Sequence, residues 1–447
     1  MSENIPYIIA ENGYYYVAYK EKVKVPEIVV SSKGIANGLS EEYNDGWDFG
    51  PDSYSPTSTS AIPYTQTDGV MEAINYAWTT YNYTWKPTNP DDFPGGPVIF
   101  FGSGVFHINA EITVPATLGE GALILIGVSI QSTYLDVASG INGFNLDNME
   151  QDLFIQNMTI RNENNATPTS LLRWQATNNV GQFAFFDNVS FRIFGTGSTT
   201  DGALYVSNIG GITMTDGEMN TNNGMGYNIN GNVNALLVKG TEIDEASGYV
   251  NTVVLILRDC LAFELNMQLY SINYVEATGY FAYTGFVLPT NSIINIFIIK
   301  GEYYINSQPI SMDSNSSIHN LDISNLIINV EQDGSFVTGD TTYLYGVKNN
   351  PSFLFLNGYT YTIPYSTPST PSVPASGTAQ SNSNPYAVKV YVNGGALTKI
   401  QITIGSTTYT VYSNSTASAV YEGFTLPAGA SITLTYSTAP TWSWLPE

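Results

Sequence analysis

Four carboxylates crowd one stretch of this chain: Asp216, Glu218, Glu242 and Asp244. Carboxyl groups held about 5 to 9 Å apart can divide the acid and base roles of glycosidic-bond cleavage. Glu245 extends the group, and Lys239 and Arg258 lie close in sequence, so charges of both signs are to hand. The bland alternative is a charged ladder on a solvated face. Other reactive types are scarce. Histidine occurs only as His107 and His319, which excludes a metal-spaced His set. The one cysteine, Cys260, sits in the apolar run from Leu255 to Ala262 and reads as a small buried hydrophobe. No glycine-rich phosphate loop and no Ser/His/Asp constellation appears, and no cofactor is expected. Asp45, Asp48 and Asp52 share a loop and are weak calcium candidates, although their spacing matches no EF-hand. Trp442 and Trp444, beside Pro440 and Pro446, either stack on sugars or close a small β-module.

The elements that must position these groups repeat. From about 150 to 361, short apolar alternations run up to a polar or glycine position and then resume. Copies include Leu153 to Ile160, Phe185 to Phe191, Ile212 to Gly217, Leu236 to Gly240, Leu255 to Cys260 and Phe353 to Gly358. The mean interval is about 25 residues, roughly one strand-turn-strand coil of a solenoid. Asn, Asp or Gly holds the anchor position in most copies, where a turn needs left-handed geometry or a side chain that bonds its neighbour's backbone. Adjacent coils lie about 4.8 Å apart. Arg258 is therefore expected one coil from Lys239, with Asp216 and Glu218 one coil further back.

Upstream, Thr67-Asp68-Gly69-Val70 opens a segment in which Val70, Ala73, Ile74, Ala77 and Trp78 keep helical spacing, with Asp68 as N-cap. Short strand segments follow at Gly95 to Phe101, Gly102 to Ile108, Glu111 to Pro115 and Ala122 to Gly127. One amphipathic helix followed by a succession of short strands resembles the start of a right-handed parallel β-helix of the pectin-lyase-like superfamily, in which the helix caps the open end of the stack. Gly102 stands where that family usually has proline and Phe106 where it usually has tyrosine. The resemblance implies fold rather than activity, because this fold carries lyases, hydrolases, epimerases and adhesive viral spikes. Polygalacturonase-type members combine aspartates with His and Arg/Lys motifs, and neither histidine here belongs to a Gly-His-Gly turn. Pectate-lyase-type members use an arginine base facing a calcium-carboxylate site; Arg258, beside Asp259, is the one arginine in a mid-solenoid strand.

The resulting plan is all-β. Residues 1–64 form a hairpin and loop module turning at Asn12-Gly13, and 65–361 the capped β-helix. Residues 362–385 form a Pro/Ser/Thr-rich linker, and 386–447 a small antiparallel β-sandwich with turns at Asn393-Gly394-Gly395 and Pro427-Ala428-Gly429. Composition narrows the function. The 447 residues carry 38 acidic against 14 basic groups, a net charge of −24, which repels a phosphate backbone and excludes nucleic acid as partner. No run is apolar enough to enter a membrane. The N-terminus has neither a basic nor an apolar signal region. Charged residues make up only 12%, while 32 tyrosines with abundant Asn, Ser and Thr supply neutral polarity. The layout resembles tail-fibre or spike proteins of viruses of thermoacidophilic archaea. The expectation is a non-catalytic virion-surface spike that attaches to a host glycan or glycoprotein, partners other virion proteins and self-associates as a homo-oligomer. The alternative is a polysaccharide lyase or glycoside hydrolase acting in the β-helix groove.

Overall fold

A computed structural model describes residues 8–11, 14–17, 27–30, 67–80, 98–114, 122–147, 149, 151–162, 169–176, 182–194, 201–305, 308–348, 351–355, 359–363, 370–383, 387–427 and 429–446. They fall into two compact units, residues 1–270 with 277–286, and residues 271–276 with 287–447. Both are built almost wholly of β-strands, largely parallel and solenoid-like, with a small antiparallel sheet at the C-terminal end.

In the first unit each coil contributes to three parallel ladders. The first joins Val98–Phe101, Ala122–Ile126 and the opening halves of Asp152–Asn162 and Phe183–Ile193. It continues through Gly211–Thr215 to residues 235–239 and 254–258. Alternation decides what faces in: Leu153, Ile155, Phe186, Met214, Val238 and Leu257 are buried. Each such side chain contributes about 1.5–3 kcal/mol over its exposed state. The coils shorten along this unit. Hydrogen bonds between neighbouring coils join residues 31 apart at Gln156 and Asp187, 28 apart at Asp187 and Thr215, and 19 apart at Asp259 and Thr278.

The anchor residues are the corners that end the first ladder. Asn157, Asn188, Asp216, Gly240 and Asp259 all take positive φ, from 50° to 61°. Asn and Asp tolerate this left-handed conformation because their short polar side chains bond locally, and Gly because it has no Cβ. Asn188 Nδ2 also donates to Asn157 Oδ1 across the coils at 2.8 Å.

Three details differ from expectation. The helix Val70–Thr80 forms, but Thr67 Oγ1 accepts the Met71 N–H at its start. Asp68, at φ 51°, instead accepts the His107 N–H at 2.6 Å, tying the helix start to the second ladder. The hairpin pairs Ile8–Glu11 with Tyr14–Val17 as expected, yet Glu27–Val30, placed in the N-terminal module, runs parallel to Val98–Phe101 and joins the solenoid. The calcium candidates Asp45, Asp48 and Asp52 lie outside the described residues.

In the second unit, parallel pairs such as Ile296–Ile305 with Leu326–Val330 give way to one five-stranded antiparallel sheet. The long strand Val388–Ile404 pairs with Thr407–Leu426 on one side. On the other side its halves pair with Thr441–Pro446 and with Ser431–Thr438. Asn393-Gly394-Gly395 is therefore a bulge inside this strand. Its glycines, at φ 73° and 74°, re-aim the chain, and a Cβ on Gly395 would meet Pro440 N at 2.8 Å. The expected turn at Pro427 to Gly429 does join two strands, with Ala430 N–H donating to Pro427 O. Within the Pro/Ser/Thr tract, Pro371 O accepts the Trp442 indole N–H and Pro374 O the Tyr436 hydroxyl, which fastens these two residues to the sheet.

Candidate active-site cleft on the first ladder

Two rows of side chains stand outward from the first ladder, each residue in register with the next coil's. One runs Ile124, Phe154, Phe185, Thr213, Leu237; the other runs Ile126, Gln156, Asp187, Thr215, Lys239. With the corner residue Asp216, all of these but Leu237 line a cleft of about 170 Å³. An apolar platform, in which Ile124 and Phe154 are buried and Phe185 is half-buried, therefore lies beside a polar row.

The platform is ordered. Phe154 and Phe185 stack with ring centroids 4.6 Å apart and planes 10° from parallel, and Phe183 tilts against Phe185 at 6.2 Å. Asp152 holds the far end by accepting the Phe183 N–H at 2.8 Å, and burial pushes its carboxyl above the usual aspartate range. In the polar row, Gln156 Nε2 donates to Asp187 Oδ2 and Thr215 Oγ1 to Asp187 Oδ1, both at 2.7 Å. Asp187 is thus fixed from both neighbouring coils. Asp216 is exposed, one coil and one residue away from Asp187. Strand spacings of about 4.8 Å across and about 3.3 Å along put their Cα atoms about 6 Å apart.

The four carboxylates singled out from sequence do not form one cluster. Asp216 lies in the cleft, but Gly217 turns the chain away, and Glu218, Glu242 and Asp244 belong to the second ladder. Glu218 sits in register with Glu242 and is engaged by the Arg192 guanidinium and the Ser190 hydroxyl. Asp244 accepts from Asn220 Nδ2 at 3.3 Å. Lys239 and Arg258 are in register, as the anchor alignment requires. His107 is exposed beside Asp136, and His319 packs against Tyr345 in the second unit, so neither reaches the cleft. Among the described residues no three His, Cys, Asp or Glu side chains stand together to hold a metal.

Trp442 and Trp444 are core residues, 8% and 3% exposed, packed edge to face at 5.5 Å. They share the inner face of the C-terminal sheet with Val388, Val390 and Val392 and leave no ring face for a sugar.

Sequence reasoning missed Phe154, Phe185, Gln156, Asp187 and Thr215. The signal was present. Aligning Asn157, Asn188, Asp216 and Gly240 as corners puts Gln156, Asp187, Thr215 and Lys239 one residue before them, and Phe154 and Phe185 three before.

No protein-family model matches the chain, and no curated protein matches it. Among solved structures it is similar to a glycan biofilm modifying enzyme of Pantoea stewartii with a bacteriophage tailspike-like parallel β-helix fold, at 9% identity and TM-score 0.29, covering 84% of this chain and 63% of that one. It is also similar to the Agl-KA catalytic domain, at 10% identity and TM-score 0.27, covering 66% and 64%. A third similarity is to ORF18 of Geobacillus virus E2, at 10% identity and TM-score 0.28, covering 83% and 74%. The chain spans less than two thirds of the first two.

The expectation of a non-catalytic, structural spike protein of an archaeal virus is corrected on two grounds. A glycan-modifying enzyme and a catalytic domain stand among the similar structures, and nothing ties the fold to archaeal viruses. No helix among the described residues is long and apolar enough to cross a membrane.

Proposed function

We propose that this chain cleaves glycans, as a glycoside hydrolase or polysaccharide lyase working in the cleft of the first ladder. One observation carries the reading: the stacked Phe154 and Phe185 rings lie one row from Asp187, Asp216 and Lys239 within a single cleft. The half-buried Phe185 offers an apolar contact to a pyranose, and the polar row meets its hydroxyls.

The division of labour follows from the hydrogen bonds. Gln156 and Thr215 both donate to Asp187, which suits it to accept a proton or attack as nucleophile. Asp216, exposed at the corner, is placed to act as the second carboxyl group of the pair. Lys239 supplies positive charge at the end of the polar row, where a sugar carboxylate would sit in the lyase form of the reaction.

The test is turnover against a panel of neutral and acidic polysaccharides, read as new reducing ends for hydrolysis and as unsaturated products for elimination. Asp187→Asn and Asp216→Asn should each lower kcat by about 10²- to 10⁴-fold. Glu218→Gln, Glu242→Gln and Asp244→Asn, on the second ladder, should stay within about threefold of the parent. No turnover on any glycan, or undiminished turnover in both aspartate variants, defeats the proposal.

A further inference from the structure

The outward face of the C-terminal sheet carries a second aromatic feature, independent of the cleft. Asn393 pairs with Tyr421 and Tyr391 with Gly423, so by strand parity all four face away from the buried tryptophans. Tyr391 lies over Gly423: a Cβ built there would meet its ring carbons at 2.8 and 3.0 Å. Tyr421 reaches towards Gly394 on the neighbouring strand, its hydroxyl 3.9 Å from where a Cβ would stand. Each tyrosine thus spans a neighbour that has no side chain, and the rings remain open to solvent, Tyr421 at 74% exposure. Asn393 adds an amide, and Lys389 Nζ stands 5.8 Å from the Tyr391 ring centroid.

Charge distinguishes this face from the rest of the molecule. Of 38 acidic residues only Glu422 and Glu447 follow residue 385, matched there by Lys389 and Lys399, while the whole chain carries −24. A polyanion approaching this chain is repelled by its net charge; a neutral polymer is not.

We propose that this face is a non-catalytic binding site for neutral glycan chains. Tyr391 and Tyr421 stack on the apolar faces of sugar rings, and Asn393 bonds their hydroxyls. Flat tyrosines suit the task because they offer large contact area at low conformational cost and a polar edge. In a chain that cuts polymers elsewhere, such a site raises the local concentration of substrate.

The test is native affinity electrophoresis of the full chain in gels containing galactomannan, mixed-linkage β-glucan or dextran, with alginate as the anionic comparison. The parent protein should be retarded in at least one neutral gel. Tyr391→Ala/Tyr421→Ala should bind about tenfold more weakly, the loss of stacking by its rings. Gly423→Ala should also weaken binding, since its methyl displaces the Tyr391 ring while both tyrosines remain. Asp187→Asn/Asp216→Asn should be retarded like the parent, which separates this site from the cleft. Equal retardation of parent and ring variants, retardation in alginate alone, or none in any neutral gel overturns the proposal.

Discussion

Gly240→Ala is the most informative single substitution in the cleft, because it disturbs a candidate catalytic group without touching it chemically. Gly240 occupies the corner above Asp216 at φ 61°, and a Cβ there would lie 2.4 Å from Asp216 Oδ1. Two costs follow. Holding alanine in the left-handed region costs about 1–2 kcal/mol. Restoring the contact to an ordinary 3.4 Å moves the Asp216 carboxylate by about 1 Å. That carboxylate is exposed and free to shift, so the fold absorbs the clash, but a displacement of about 1 Å at a reacting group can cost about 10²-fold in rate.

Gly231→Ala is the matched control. Gly231 has φ 69° and faces Asn208 Oδ1 at 2.9 Å, on the other side of the coil. Urea unfolding should show similar losses for the two variants, about 1–2 kcal/mol. Turnover on the best glycan should fall about 10²-fold in Gly240→Ala alone. Equal turnover in the two variants would refute the assignment of Asp216 and the reasoning from its position.

Three further outcomes are expected. Asp216→Asn should raise stability by about 1 kcal/mol in urea while lowering turnover as stated above, since an amide there can donate to Asn188 and extend the Asn157–Asn188 bond by one coil. A lower urea midpoint would count against it. Cys260 is fully buried, and burial pushes its thiol up to about 12, so a disulfide reagent should label nothing in the native protein at pH 8 and one thiol per chain after denaturation. At Asp322, burial pushes the carboxyl up, but the Ser324 hydroxyl and N–H, with Lys348 and Lys300, outweigh it and hold the folded pKa below its ordinary value. The stabilisation is complete above the unfolded aspartate value of about 3.9 and is lost as pH falls through the folded one, so Asp322→Asn should lower Tm at pH 7 but not at about pH 2.

The fold was legible wherever one residue type has few substitutes. A left-handed corner accepts little besides Gly, Asn and Asp, so Asn157, Asn188 and Gly240 marked the coils and their shortening. The helix was legible from Val70, Ala73 and Ile74, all of which are buried. Its cap was not, because Thr67 and Asp68 are both good acceptors and only the neighbouring strand decides that Asp68 bonds His107. The site depended on a single residue of register. Taking Asp216 and Glu218 together ignored the corner at Gly217, where a Cβ would strike Val189 O at 2.2 Å and where the chain changes ladder. For the tryptophans the missing information was strand parity. Trp442 and Trp444 share one parity and Tyr391 and Asn393 another, but only the pairing of Val392 with Trp442 shows which faces inward.

The corner row explains why the cleft lies where it does. Asn157 and Asn188 face one another and share one corner bond, and an amide, which both donates and accepts, could pass such a bond to the next coil. At the next coil the residue is Asp216, which as a carboxylate has nothing to donate, and above it stands Gly240, which has no side chain to answer. The row of corner bonds therefore stops at Asp216 and leaves a carboxylate exposed beside Asp187. The same break separates the aromatic coils carrying Phe154 and Phe185 from the cationic ones carrying Lys239 and Arg258. Continuing asparagine through these corners would give the solenoid a more regular edge and remove the acid. On the proposed assignment, Asp216 serves the reaction at the expense of one corner bond, the usual relation between an under-bonded site and its function.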